Sequence, residues 1–93
     1  MQEYIASRLS ENNKLYPQHI IIDDRGVTFK QPGFFNAKES TLLFNNITSV
    51  DIETPLVGFS TITIGSKGES KIPAHGFTKA EVIEMKQLIL SKM

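Results

Sequence analysis

The chain contains no cysteine. That absence excludes a disulfide framework and every thiolate metal site, so packing alone must hold the domain together. Histidine is scarce too, with two in 93 residues. A zinc site needs three or four His, Cys or carboxylate ligands at suitable spacing, and the sequence offers no such set. No cofactor or metal is therefore expected. An excess of charge is also missing, because 10 Lys+Arg stand against 10 Asp+Glu. Nucleic-acid binders draw affinity from phosphate neutralisation and carry a basic excess, so nucleic acid is not an expected partner. No apolar run approaches the roughly 18–20 residues of a membrane-spanning helix. The opening Met1-Gln2-Glu3-Tyr4-Ile5-Ala6-Ser7-Arg8 has an early acid and no apolar stretch, unlike a secretory signal. The expectation is a cytoplasmic chain, with association at a membrane surface as the alternative.

What is present suffices for one modest core. Hydrophobic residues make up 40% of the chain and charged residues 22%, the balance of a single folded domain. Residues 1–13 read as an approach segment to a domain over 14–93. Met1, Ile5 and Leu9 repeat at helical spacing, which predicts one or two helical turns. Ser10-Glu11-Asn12-Asn13 then breaks the pattern.

From His19 the period becomes two. His19-Ile20-Ile21-Ile22 and Val27-Thr28-Phe29-Lys30 flank Asp23-Asp24-Arg25-Gly26, and the whole reads as a β-hairpin. Pro32-Gly33 interrupts any ladder, so 31–38 is a loop. Ser40 to Phe44 forms the third strand, Asn45-Asn46 turns the chain, and Ile47 is placed to plug the core. Ser49-Val50-Asp51-Ile52-Glu53 and Phe59-Ser60-Thr61-Ile62-Thr63-Ile64 alternate cleanly around a connector at 54–58. Ser66-Lys67-Gly68 turns into a last strand from Ser70 to Pro73, with His75 ordering the corner before a helix. In that helix, Thr78-Lys79-Ala80-Glu81 is a capping box, and Phe77 can staple to Val82. Val82, Met85, Ile89 and Met93 share one helical stripe, flanked by Ile83, Leu88 and Leu90.

The fold class expected is mainly β, with six or seven antiparallel strands and one C-terminal helix. That order resembles a bacterial pleckstrin-homology-like (PH-like) domain. The opening hairpin over 20–30, the stretch from Leu42 through Ile47 to Ile52, and Gly58 to Ile64 followed by Gly76-Phe77 and the capped helix carry the resemblance. It implies a half-open barrel with the helix plugging one end, and a module of interaction, oligomerisation or membrane association. One departure matters. Phosphoinositide-binding members cluster Lys and Arg around the first hairpin loop, whereas here that loop is Asp23-Asp24-Arg25-Gly26. Phosphate sites need convergent cations, so the departure argues against that ligand.

No motif for catalysis stands out. His19 lies near Asp23 and Asp24 in sequence, but acids in a turn are ordinarily solvated turn chemistry. Gly65-Ser66-Lys67-Gly68 lacks the strand–loop–helix context of a phosphate loop and reads as a hairpin turn. No catalytic residue is named. The informative feature is Phe34-Phe35 in the Pro-Gly loop. Two adjacent rings on an extended segment point to opposite sides. Either both tuck under the loop, or one stays exposed and marks a contact surface. The candidate contact residues are Phe34, Phe35, Lys30 and Lys38. The expected function is non-enzymatic binding or self-association, with a protein or a second copy of the chain as partner. The alternative is an adaptor for an anionic lipid surface, with Lys30 and Lys38 meeting headgroups.

Overall fold

Period-two alternation builds seven strands among the described residues: β1 (Gln2–Ile5), β2 (His19–Ile22), β3 (Gly26–Gln31), β4 (Lys38–Leu43), β5 (Ile47–Glu53), β6 (Ser60–Ser66) and β7 (Ile72–Phe77). Helix α1 (Lys79–Lys92) ends the chain. The computed structural model describes residues 1–10, 13–68 and 71–93. Strands β1-β2-β3-β4 form one antiparallel sheet and β5-β6-β7 a second. A single 3-10 turn over Phe44–Asn46 carries the chain from one sheet to the other. The fold is therefore mainly β, two antiparallel sheets closed by one C-terminal helix, an arrangement consistent with a PH-like half-open barrel.

The alternation sorts each strand into two faces. Ile20 and Ile22 of β2, Val27 of β3, Val50 of β5, and Ile62 and Ile64 of β6 turn inward and are buried. Ile47 is buried directly after the corner, where the sequence puts its plug. Helix α1 closes the core with Val82, Met85 and Ile89, all fully buried. Its capping box forms as expected. The Glu81 amide donates to Thr78 Oγ1 at 3.1 Å, and the Thr78 amide donates to Glu81 Oε1 at 2.9 Å. Phe77 and Val82, the two staple positions, are both buried. The stripe stops at Ile89, since Leu90 and Met93 are half exposed beyond the sheet.

Three expectations need correction. The segment predicted to be helical forms β1 instead, pairing Tyr4 with Ile20 and Glu3 with Ile21. A helix of one or two turns is marginal in water. A strand here instead buries Tyr4 and Ala6 on one face and satisfies the backbone against β2. The second correction is at the other end. Strand β7 runs on through His75 to Phe77 rather than stopping near Pro73, while Ser70 lies outside the described residues. Gly76 makes that extension workable. The pairing passes from Ser60–Phe77 to Thr61–His75, so Gly76 is an extra, bulged residue, and it takes φ 114°. The third is that His75 therefore sits within a strand, not at a corner before the helix.

The bulge also builds the seam between the sheets. The Gly76 carbonyl accepts from the Ser7 amide at 2.8 Å. Asn13, buried beside it, donates from Nδ2 to the His75 carbonyl at 3.0 Å and to Ser10 Oγ at 2.9 Å, and its Oδ1 accepts from the Gln18 amide at 2.8 Å. One buried amide thus ties the β1–β2 connection to β7. A polar group in that place is tolerated because its hydrogen bonds are made.

Candidate functional site

Proline and glycine end β3 and set the shape of the β3–β4 loop. Gly33 permits a close approach, because a Cβ there would collide with the Asn36 carbonyl oxygen. The tight turn lifts Phe34 and Phe35 to the loop tip. They are 75% and 94% exposed. Neither ring folds back on the core. They meet each other instead, edge to face, with centroids 4.6 Å apart and planes at 88°, within the geometry that aromatic pairs favour.

The two lysines stand at the base of this tip. Lys30 ends the exposed face of β3, and its Nζ lies 3.9 Å from Glu39 Oε1 across the ladder. Both groups are well exposed, so the pair adds little stability. Lys38 opens β4 opposite Gln31 and makes no ion pair among the described residues. Behind them a cleft of about 240 Å³ opens between the sheets, floored by Ile20, Phe29 and Ala74 with Lys30 and Lys38 among its lining. The structure thus brings all four sequence-named residues to one end of the first sheet.

Strand β4 continues away from this tip as the outer strand of its sheet, with β3 on one side only. Among its residues only Leu42 is half-buried, and the rest are exposed. Its outer face is polar at the centre, where Thr41 Oγ1 and Thr28 Oγ1 lie 2.8 Å apart. At its far end Leu43, with Phe44 and Met93, lines a shallow groove beside the end of α1. Sequence reading missed this groove, since Met93 and Leu43 are brought together only by the packing of α1 on the sheets.

The histidines are accounted for locally. His19 Nδ1 lies 3.0 Å from Glu3 Oε2 on the neighbouring strand, not against Asp23 or Asp24. His75 Nδ1 lies 2.7 Å from Thr61 Oγ1, with Glu53 opposite Thr61 in the next strand over. Asp23 is turn chemistry. Its carboxylate accepts from the amides of Arg25 at 2.8 Å and Gly26 at 3.0 Å, which holds its pKa below the usual range. Among the described residues no three His, Cys, Asp or Glu side chains gather as metal ligands. No described helix is long and apolar enough to cross a membrane. Compared with known proteins, the chain matches no family model, no curated protein and no solved structure.

Proposed function

We propose that this chain is a non-enzymatic binding module of the bacterial PH-like kind, and that its first mode of binding is to itself. The observation that carries this reading is the Phe34–Phe35 tip. Two adjacent aromatic rings that touch each other and nothing of the core cost solubility unless something covers them. The open edge of β4 begins three residues after the tip and offers unpaired backbone groups for strand addition. A net charge of zero leaves little repulsion between copies. The test is Phe34→Ser with Phe35→Ser, read by light scattering and thermal melting. The double variant is expected to lose the oligomer while keeping the parent melting temperature at concentrations where both are monomeric. A loss of stability with no change in mass would count against the reading.

A second reading, contact with an anionic lipid surface, draws support from the same end of the molecule. Lys14, Leu15 and Tyr16 border a groove with Pro32, and Pro32 borders another with Lys30 and Lys38. Cations and exposed apolar side chains thus alternate around the loop, as surface-binding segments require. Co-sedimentation with vesicles of anionic and of neutral lipid separates this reading from the first. Self-association is independent of lipid, whereas surface binding needs the anionic vesicle.

A further inference from the structure

Two features of opposite shape stand at the two ends of β4. At its start is a knob, the exposed Phe34–Phe35 tip. At its end is a hollow, the groove lined by Leu43, Phe44 and Met93, of which Leu43 and Met93 are about half exposed, and rimmed by Asp24, Arg25, Asn45 and Lys92, with Lys92 Nζ 3.5 Å from Asp24 Oδ1. Between them runs an edge strand with no partner on its outer side among the described residues. A strand with an aromatic knob at one end and a hollow with an apolar floor and charged rim at the other can pair with an antiparallel copy of itself. The closed symmetry of such a pair is a two-fold axis, which presents the same patch on both sides.

The symmetry restricts the register. Residues directly opposite in an antiparallel ladder share a face. With a two-fold axis perpendicular to the sheet, one residue of β4 must therefore face its own copy. Lys38 or Glu39 in that place would set like charges against each other, which is destabilising. Leu42 or Leu43 would carry the aromatic tips past the partner's groove. Ser40 and Thr41 remain. The ladder itself runs only over Lys38–Leu43; with Ser40 on the axis, the loop before β4 comes level with the turn at Phe44–Asn46 of the partner, beside the groove that Phe44 and Asn45 line. With Thr41 there, the loop moves two residues further along, past that turn.

Backbone polarity permits a Ser40 axis, as it does one at Thr41. The Phe44 amide donates to the Arg25 carbonyl at 3.1 Å, toward β3. Alternation then turns the amides of Leu42, Ser40 and Lys38 toward β3 and leaves those of Glu39, Thr41 and Leu43 facing the open edge. Across the axis Glu39 and Thr41 of the two copies can exchange hydrogen bonds, while the two Ser40 residues form the close, non-hydrogen-bonded pair with Cα atoms about 4.5 Å apart.

We propose, resting on the self-association reading above, that two copies join β4 to β4 about a two-fold axis at Ser40, each Phe34–Phe35 tip seating in the other's Leu43–Phe44–Met93 groove. The occupant of the open edge is a second copy of this chain, and the product is one eight-stranded sheet shared by the pair.

The absence of cysteine makes the test clean. Ser40→Cys and Thr41→Cys are made singly in the full chain. Each is oxidised mildly, run on a non-reducing gel, and weighed by light scattering in reducing buffer. Ser40→Cys is expected to link into a covalent dimer. Thr41→Cys is expected to stay unlinked, because its two copies lie diagonally, beyond the roughly 7 Å that a disulfide spans. Adding Phe34→Ser and Phe35→Ser to Ser40→Cys should abolish the link at the same protein concentration. A dimer that links through Thr41→Cys, through both variants equally, or through neither overturns the Ser40 axis while self-association stands. A monomer mass at every concentration overturns self-association itself, and the axis with it.

Discussion

Gly76 is the residue on which the seam between the sheets depends. It takes φ 114°, and a Cβ there would meet Ser10 Oγ and lie 2.8 Å from Asn13 Nδ2. Gly76→Ala therefore combines backbone strain with displacement of the buried Asn13. It is expected to cost at least the ~1–3 kcal/mol typical of a strained non-glycine residue, measured by urea unfolding. Two titrating residues give pH signatures of opposite sense. Burial, then the hydrogen bond to Glu84, then the nearby charges of Glu84 and Glu81 push the Tyr4 hydroxyl well above its ordinary pKa. A raised folded value means the contribution is complete below about pH 10, the unfolded value, and is lost as pH rises above it. Tyr4→Phe should lower stability at neutral pH by about 1 kcal/mol and flatten the alkaline limb of the stability curve. Asp23 behaves in the reverse way, since amide donors from Arg25 and Gly26 lower its pKa. Its contribution is present above about pH 4, the unfolded value, and fades as pH falls through the lower folded value. Asp23→Asn should flatten the acid limb, as followed by circular dichroism between neutral and acid pH.

At the scale of elements, α1 is the clearest case of sequence dictating structure. Its cap, staple and stripe are all local signals: the cap forms, both staple positions are buried, and the stripe is buried as far as Ile89, with Met93 left half exposed. Ile89 is fully buried, so Ile89→Ala is expected to cost about 2–5 kcal/mol in chemical denaturation. Removal of the helix after Phe77 would uncover Ile62, Ile64 and their neighbours, and should leave an aggregating or unfolded chain, read by loss of the near-ultraviolet circular dichroism signal. The β2–β3 hairpin was legible for the same reason, because its turn residues and alternation lie within a dozen positions. The N-terminal strand was not. Met1, Ile5 and Leu9 share a helical spacing, yet all three are exposed, and the alternating pair Tyr4 and Ala6 is what the fold buries. That choice is made by β2, a partner supplied from 14 to 20 residues further on, which no local window contains. The end of β7 was hidden for a related reason. A glycine can end a strand or bulge it, and here contact with Ser7 and Asn13 goes with the bulge. At the candidate surface, the sequence singled out Phe34 and Phe35 but left open whether they were tucked. The tight turn at Gly33 exposes both, a consequence of loop geometry that residue identities do not carry.

For the whole molecule, the two sheets and the helix gather one continuous core, from Tyr4 to Ile89, and leave other apolar side chains exposed, among them Leu9, Leu56 and Val57 as well as Phe34 and Phe35. The exposed aromatics and the open edge of β4 adjoin each other, and the account holds that this is where the molecule meets its own copy. The most direct measurement is light scattering of the full chain over a wide concentration series, beside the Phe34→Ser, Phe35→Ser variant, with melting curves of both. The expected result is a dimer mass for the parent that dissociates on dilution, a monomer mass for the variant, and equal melting temperatures under conditions where both are monomeric. A parent that remains monomeric throughout, or a variant that dimerises as the parent does, would contradict it.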